Sequence, residues 1–198
     1  MRGIEQIPWL YDFGMALVER TGLRRWREWL AAGISGCVLD VGCGTGRNLP
    51  LFDGRARVFA VDPCPELLLQ ARRRAPTAAL VRARAEALPF RDGVFDRVTS
   101  ALVFCSVGDP HAGLRELRRV LRPAGTLRML EHVRSTHAWQ ARLQDLAQPA
   151  WTWLTGGCHP NRETEAAVAR AGFAIDAASR RGEGSMRRFV ARPVTGKA

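Results

Sequence analysis

Through residues 1–34, apolar side chains recur at helical spacing: Ile4, Trp9, Leu10, Phe13, Leu17 and Val18, then Leu23, Trp26 and Leu30. That pattern predicts amphipathic helix, closed by Gly33 and Gly36. The period then changes. Residues 37–41, 58–62, 79–83, 95–103 and 126–131 are short apolar runs that read as strands. Between them, residues 65–75 read as a helix with Leu67, Leu68 and Ala71 inward, and residues 113–120 as a helix ending before Pro123. Strands alternating with helices predict a parallel, doubly wound sheet. Further on, residues 139–154 are helical and rich in Gln, Trp and Leu, and residues 163–171 form a helix stopped by Gly172. Residues 174–177 and 186–191 are expected to pair as an antiparallel edge.

The first predicted strand runs into Asp40-Val41-Gly42-Cys43-Gly44-Thr45-Gly46. Glycines there let the backbone turn sharply and let a ligand approach the peptide groups. Asp62 ends the second strand twenty residues after Gly42, where a carboxylate can accept hydrogen bonds from both hydroxyls of a ribose. Loop and acid together predict an adenosine-containing cofactor. A dinucleotide fingerprint would place glycine or alanine three residues after the second glycine, and that position is Arg47. The spacing is Gly-x-Gly-x-Gly, preceded by Asp40. An acid at that point suits the ammonium group of S-adenosylmethionine.

At these residues the chain resembles the class I methyltransferases. The resemblance continues through Glu86-Ala87-Leu88-Pro89-Phe90, Phe95-Asp96-Arg97-Val98 and the run from Leu117 to Leu127, which are similar to blocks of the ubiquinone/menaquinone C-methyltransferase-like group. A narrower resemblance spans nearly the whole chain. Tyr11-Asp12 with Met15 and Glu19, then Leu102-Val103-Phe104-Cys105-Ser106-Val107, Leu130-Glu131-His132-Val133, Gln148-Pro149-Ala150-Trp151, Gly157-Cys158, Arg162-Glu163-Thr164 and Gly196-Lys197-Ala198 resemble the microsomal alkyl thiol S-methyltransferases and their small bacterial relatives. Two positions depart from the broader pattern. Arg84 stands where many relatives carry an acid near the adenine, and Pro123-Ala124-Gly125 replaces Pro-Gly-Gly.

The implied fold is α/β: a Rossmann-like doubly wound sheet, mostly parallel with an antiparallel C-terminal edge strand, plus an N-terminal helical cap. One domain is expected over residues 1–198, with the cap at 1–36, a cofactor-binding core at 37–135, and acceptor-side helices and C-terminal strands at 136–198. The resemblance implies that Gly42, Gly44 and Gly46 shape the cofactor loop, that Asp40 meets the amino end of the cofactor, and that Asp62 binds its ribose. Asn48, Pro63 and Leu102 join this set. The adenine contact moves to Glu86 and the backbone of Ala85. Cys43 belongs to the loop and, with Thr45, would pack against or cap the next helix. Tyr11 would fold over the cofactor, or else belong to the apolar stripe of the cap.

The catalytic candidates are His132, Cys105 and Tyr11. Methyl transfer needs positioning and a deprotonated nucleophile. His132, at the end of the fifth strand, is the expected base or orienting group. Cys105 either lines the transfer channel or packs as a small hydrophobe. Trp139, Trp151 and Trp153 either wall an apolar acceptor pocket or serve as core. His159 and Arg162 are weaker candidates for the same rim.

Composition narrows the picture. The formal net charge is +11 and Lys197 is the only lysine. The arginines are dispersed along predicted helices, which reads as a solvated surface, with an anionic partner or membrane surface as the alternative. The segment after the fourth strand lacks the Asn/Asp-Pro-Pro-aromatic run of amino methylases, which argues against nucleic acid as the substrate. Cys37, Cys43, Cys64, Cys105 and Cys158 form no metal spacing, so no metal is expected, and reduced thiols in a cytoplasmic enzyme are. No apolar run reaches the length of a membrane helix. The expected reaction moves a methyl group to a small apolar acceptor, foremost a thiol. A quinone carbon, phenol or lipid amine is the alternative acceptor. A non-catalytic module that binds S-adenosylmethionine is the reading of another class.

Overall fold

The computed structural model describes Trp9, Asp12, Phe13 and residues 22–194. One sheet contains all the strands: β1 (Gly36–Val41), β2 (Ala56–Asp62), β3 (Ala79–Arg82), β4 (Phe95–Ala101), β5 (Leu121–His132), β6 (Phe173–Ile175), β7 (Arg181–Glu183) and β8 (Met186–Pro193). Their order is β3-β2-β1-β4-β5-β8-β6, with β7 also paired to β8. The pairings from β3 to β5 are parallel, and those made by β8 are antiparallel. The helices are α1 (Arg24–Ala31), α2 (Pro65–Arg74), α3 (Pro110–Val120), α4 (Ala138–Thr155) and α5 (Thr164–Arg170). The predicted alternation therefore holds, and residues 173–175 do pair with 191–193. The edge differs in detail. β8 is interior, and its outer flank is shared by β6 and the short β7, a strand too brief and polar to show in the sequence.

β1 reads as an uninterrupted apolar run because helices cover both faces of the parallel sheet. Val38, Leu39 and Val41 are all buried. Under the sheet, Phe59, Phe90 and Phe95 meet edge to face, with ring centroids 4.9–6.0 Å apart. Strand β5 begins directly after α3, earlier than its apolar pattern suggests. Its pairing with β4 jumps from Phe95↔Leu121 to Arg97↔Thr126, so residues 122–125 bulge outward. Gly125 closes that bulge, where a Cβ would lie 2.7 Å from Leu121 Cδ1. Only the second glycine of the usual Pro-Gly-Gly is sterically required, which explains why Ala124 is accommodated. Helix α3 starts three residues before its predicted beginning because Asp109 caps it, accepting from the N–H groups of His111 (2.9 Å) and Ala112 (3.0 Å).

Helix α1 lies against the ends of β4 and β5. Leu23 and Leu30 pack on Ala101 and Leu130. Many arginines turn out to be structural rather than solvated. Arg128 donates to the carbonyls of Trp29 (3.0 Å), Leu30 (3.3 Å) and Ala32 (2.8 Å), so a cation closes the carbonyl end of α1. Arg188 stacks on Trp26 and Trp29, its guanidinium carbon 5.4 and 4.8 Å from the ring centroids. Arg128→Ala should therefore cost about 1–3 kcal/mol in urea denaturation, while Arg115→Ala, on the exposed side of α3, should change stability by less than about 0.5 kcal/mol.

Candidate active site

The strand order reverses between β1 and β4. In open α/β sheets the crevice outside the carboxyl ends of the strands at that point is where ligands bind. A cleft of about 560 Å³ opens there. Its lining comes from the glycine loop (Gly42, Gly44), the end of β2 and the start of α2 (Asp62 to Leu67), the turn from Ala83 to Glu86, the exit of β4 (Leu102, Val103, Ser106, Val107, Gly108) and Gly156 after α4.

The three loop glycines have three different reasons to be glycine. Gly42 has φ +65°, and a Cβ would lie 2.4 Å from Val103 Cγ2. Gly44 has φ +54°, but a Cβ would meet nothing within 4 Å, so its backbone stands open to the cleft. Gly46 has φ +81°, and a Cβ would lie 2.8 Å from Ala71 Cα, so it seats the loop on α2 and does not line the cleft. Asp62 faces the cleft and already organises it, accepting from Gly44 N–H and Cys64 N–H at 2.9 Å each. Burial raises its carboxyl above the usual range, opposed by those two hydrogen bonds.

Asp40 is not part of the cleft lining. Its carboxylate is fully buried beneath the loop and accepts from the Thr99 hydroxyl (2.6 Å) and the Asn48 amide (3.4 Å). It does not reach the cleft. Burial pushes its carboxyl up to about 6. Asn48 likewise lies below, tied to Arg27 of α1 at 2.6 Å. Together Asp40 and Asn48 fix the loop from beneath. Cys43 packs with Leu49, Ala60 and Ala71 in a small core, and burial pushes its thiol far up.

A second tie comes from the cap. Asp12 accepts from Thr45 (2.8 Å) and Arg47 (3.1 Å) of the loop and from Arg74 of α2 (2.6 Å). Burial works against its ionisation, but these hydrogen bonds win and hold its carboxyl below the ordinary range. Tyr11 lies outside the described residues.

At the exit of β4, Leu102 adopts φ +60°, a costly conformation for a residue with a side chain. Its N–H bonds Leu130 O at 2.7 Å. The buried Glu131 carboxylate then accepts from Val103 N–H (3.1 Å), Phe104 N–H (3.2 Å) and the Ser100 hydroxyl (3.0 Å). Burial raises its carboxyl to about 7 against these bonds. Sequence reasoning named Glu131 only as part of a motif; an acid inside an otherwise apolar strand was the available signal.

Cys105 and His132 stand behind the cleft wall, not on it. Ser106, which does line the cleft, has its hydroxyl 3.7 Å from Cys105 Sγ. Cys105, His132 and Trp151 surround Cys158. The Cys105 bond first, then those from His132 and Trp151, hold the Cys158 thiol well below the ordinary thiol range. Arg162 braces this turn, donating to Phe104 O (2.6 Å) and Val107 O (2.7 Å). Cys158, Ser106 and Gly156 were not among the predicted site residues; Cys158 and Gly156 reach the site only because the chain after α4 folds back to it. Trp139 and Trp153 do not wall the cleft. They face outward, because α4 turns glutamines and threonines inward. Pro63, Ala85, Glu86 and Leu102 all line the cleft. Glu86 accepts from Gly108 N–H at 3.1 Å and pairs with Arg84 at 3.5 Å.

The methyltransferase domain family matches residues 39–129. Thiol S-methyltransferase TMT1A of Homo sapiens is 34% identical over 174 residues, covering 83% of this chain and 70% of that protein. The chain belongs to the class I S-adenosylmethionine-dependent methyltransferases. Thiol S-methyltransferase TMT1B of Homo sapiens is 35% identical over 142 residues, 67% of this chain, and the match spans 58% of that protein's length. The fold is shared with an S-adenosylmethionine-dependent methyltransferase from Thermotoga maritima (TM-score 0.72, 20% identity, 96% of this chain and 98% of that one). S-Adenosylmethionine is thus the methyltransferase's cofactor, and the cleft suits it. Asp62, Glu66 and Glu86 bring three carboxylates to the lining, against Arg84 alone, on a chain of formal net charge +11. That local reversal of sign favours a cationic donor. The open backbone at Gly44 and the apolar Leu67, Ala85, Leu102 and Val107 suit its adenosine end.

Two measurements test this geometry. Gly44→Ala should lower stability by only about 1–2 kcal/mol yet weaken S-adenosylmethionine binding at least about tenfold in calorimetry. Gly42→Ala should unfold more readily, since its Cβ collides with Val103. Normal binding by Gly44→Ala would remove the loop backbone from the cofactor contact. Glu131 sets a pH dependence. Its folded value, about 7, exceeds the reference 4.5, so its stabilisation is full below about 4.5 and is lost as pH rises through about 7. The stability difference between the wild type and Glu131→Gln should shrink by roughly 3 kcal/mol between about pH 4 and pH 8 in urea titrations.

Proposed function

We propose that this methyltransferase transfers its methyl group to a small, apolar thiol. The observation that carries the proposal is the contact of the cleft-lining Ser106 hydroxyl with Cys105 Sγ at 3.7 Å, beside Cys158, whose thiol Cys105 and His132 hold below the ordinary range. The names of the two human relatives, both thiol S-methyltransferases, point the same way. Bound S-adenosylmethionine supplies an electrophilic methyl carbon on a positively charged sulfur that departs as a neutral thioether. The chain's own task is to hold an acceptor sulfur in line and to remove its proton. An entering thiol gives its proton to the Ser106 hydroxyl, which passes one on through Cys105 to the Cys158–His132 pair. With S-adenosylmethionine bound, the acceptor sulfur would take the methyl group as the donor's carbon–sulfur bond breaks. Arg162, which fastens both ends of the Phe104–Val107 turn, adds a positive charge that favours the acceptor thiolate.

The test is turnover by mass spectrometry with small thiols, a quinol, a phenol and a lipid amine. The expected result is methylation of thiols alone. His132→Ala should lower kcat on a thiol about 10–100-fold with cofactor affinity unchanged. The deficit should be greatest at low pH and shrink as pH approaches the acceptor's own pKa of about 8.5, where the substrate ionises unaided. Methylation of the quinol or amine with inert thiols would overturn the proposal, and a deficit independent of pH would remove His132 from proton transfer.

A further inference from the structure

Helix α4 is built inside out. Its inward positions, at helical spacing, are Ala141, Gln144, Gln148, Thr152 and Thr155, and all but the first are polar and engaged. Gln144 donates to Val133 O and Pro160 O at 3.1 Å each and accepts from Ser135 N–H at 2.8 Å. Gln148 bonds the Thr152 hydroxyl at 3.0 Å and His159 Nδ1 at 2.9 Å. Thr152 donates to Cys158 O at 2.8 Å. The outward stripe is Trp139, Leu143, Leu146, Ala150 and Trp153, with Leu154 beside it. Leu146 is 81% exposed, Trp153 70% and Trp139 64%. Six of the ten large apolar side chains that stand exposed among the described residues belong to this one helix. A surface helix normally presents the opposite arrangement, and so large an exposed apolar stripe marks an interaction site.

We propose that α4 is an interfacial helix that docks the protein on an anionic lipid bilayer. Three observations favour lipid over a second protein. The stripe is a single convex helix of 18 residues, about 27 Å long. A bilayer needs no matching surface. The stripe is made of tryptophan and leucine, which settle at the boundary between headgroups and acyl chains. The chain carries a formal net charge of +11, and Arg142 stands exposed on the helix itself, which complements anionic headgroups. Among the described residues no helix is long and apolar enough to cross a membrane, so α4 lies on the surface. It ends at Gly156, which lines the cleft, so docking brings the cleft to the edge of the bilayer whatever the acceptor is.

The test uses the full chain with vesicles of phosphatidylcholine alone and of equal parts phosphatidylcholine and phosphatidylglycerol. Co-sedimentation should show binding to the mixed vesicles that weakens with salt, and brominated acyl chains should quench tryptophan emission. The double variant Leu143→Glu with Leu146→Glu changes only exposed positions. It should keep its circular dichroism and cofactor affinity while losing about tenfold or more of its vesicle binding. The thiol introduced by Leu146→Cys should react rapidly with a soluble maleimide in lipid-free protein and be protected by mixed vesicles. Failure to bind either vesicle, or undiminished binding by the double variant, would overturn the proposal. So would a dimer in sedimentation velocity that the double variant abolishes, which would make the occupant a second copy. Protection of the introduced thiol in lipid-free monomer would mean that the chain covers the stripe itself.

Discussion

The buried carboxylate of Glu131 is the constraint on which the rest of the site depends. It collects the N–H groups of Val103 and Phe104 just after β4 ends, and so holds the chain in the sharp turn that begins at Leu102. That turn does several things at once. It puts the Val103 side chain under Gly42, close enough that no other residue fits there. It sets Leu102, Val103, Ser106 and Val107 along the cleft, and aims Cys105 back toward Cys158 and His132. A carboxyl group is expensive to bury. Here the burial raises its protonation range and the backbone donors limit the rise. The same principle operates one strand away, where Asp40 is buried beneath the glycine loop with Thr99 and Asn48 as partners. The cofactor end of the sheet is thus organised by carboxylates that point into the protein, while Asp62 and Glu86 line the cleft.

The excess of arginine has a structural side that charge counting does not reveal. Arg27 is buried and reaches Asn48. Arg128 closes α1, Arg119 gathers the carbonyls of Leu88 and Phe90 together with Glu116, and Arg162 braces the turn beside the thiols. Guanidinium suits these places because its several donors can satisfy more than one carbonyl while keeping the charge. The cap is joined to the core in the same way: Asp12 is held by arginines and a threonine of the loop region, and Arg27 by the loop itself. Closing the cap and shaping the cofactor loop are therefore one event.

Much of this was legible in the chain. Alternating strands and helices implied a parallel, doubly wound sheet, because a strand covered by helices on both faces reads as a continuous apolar run. Glycines at 42, 44 and 46 with acids at 40 and 62 announced an adenosine cofactor, because that spacing brings backbone and carboxylate to one crevice. The resemblance to the methyltransferases rested on contiguous blocks and survives in full. Roles were less secure than identities. Asp40, Asn48, Cys43 and Gly46 are packed beneath the loop and not along the cleft.

What the sequence alone determined was local: which segments become strand or helix, and which short motifs hold chemistry, since both follow from spacing along the chain. The tertiary structure decided direction. Whether an acid faces the ligand or the core, whether the tryptophans of α4 wall a cleft or look outward, and whether Cys105, Cys158 and His132 meet at all depend on how strands and helices far apart in sequence are stacked. Side-chain period cannot report this. The inside-out face of α4 shows why: hydrogen-bonding partners in the segment after β5 and the loop after α4 exist only once the chain has folded, and they reverse the orientation that hydrophobicity by itself would choose.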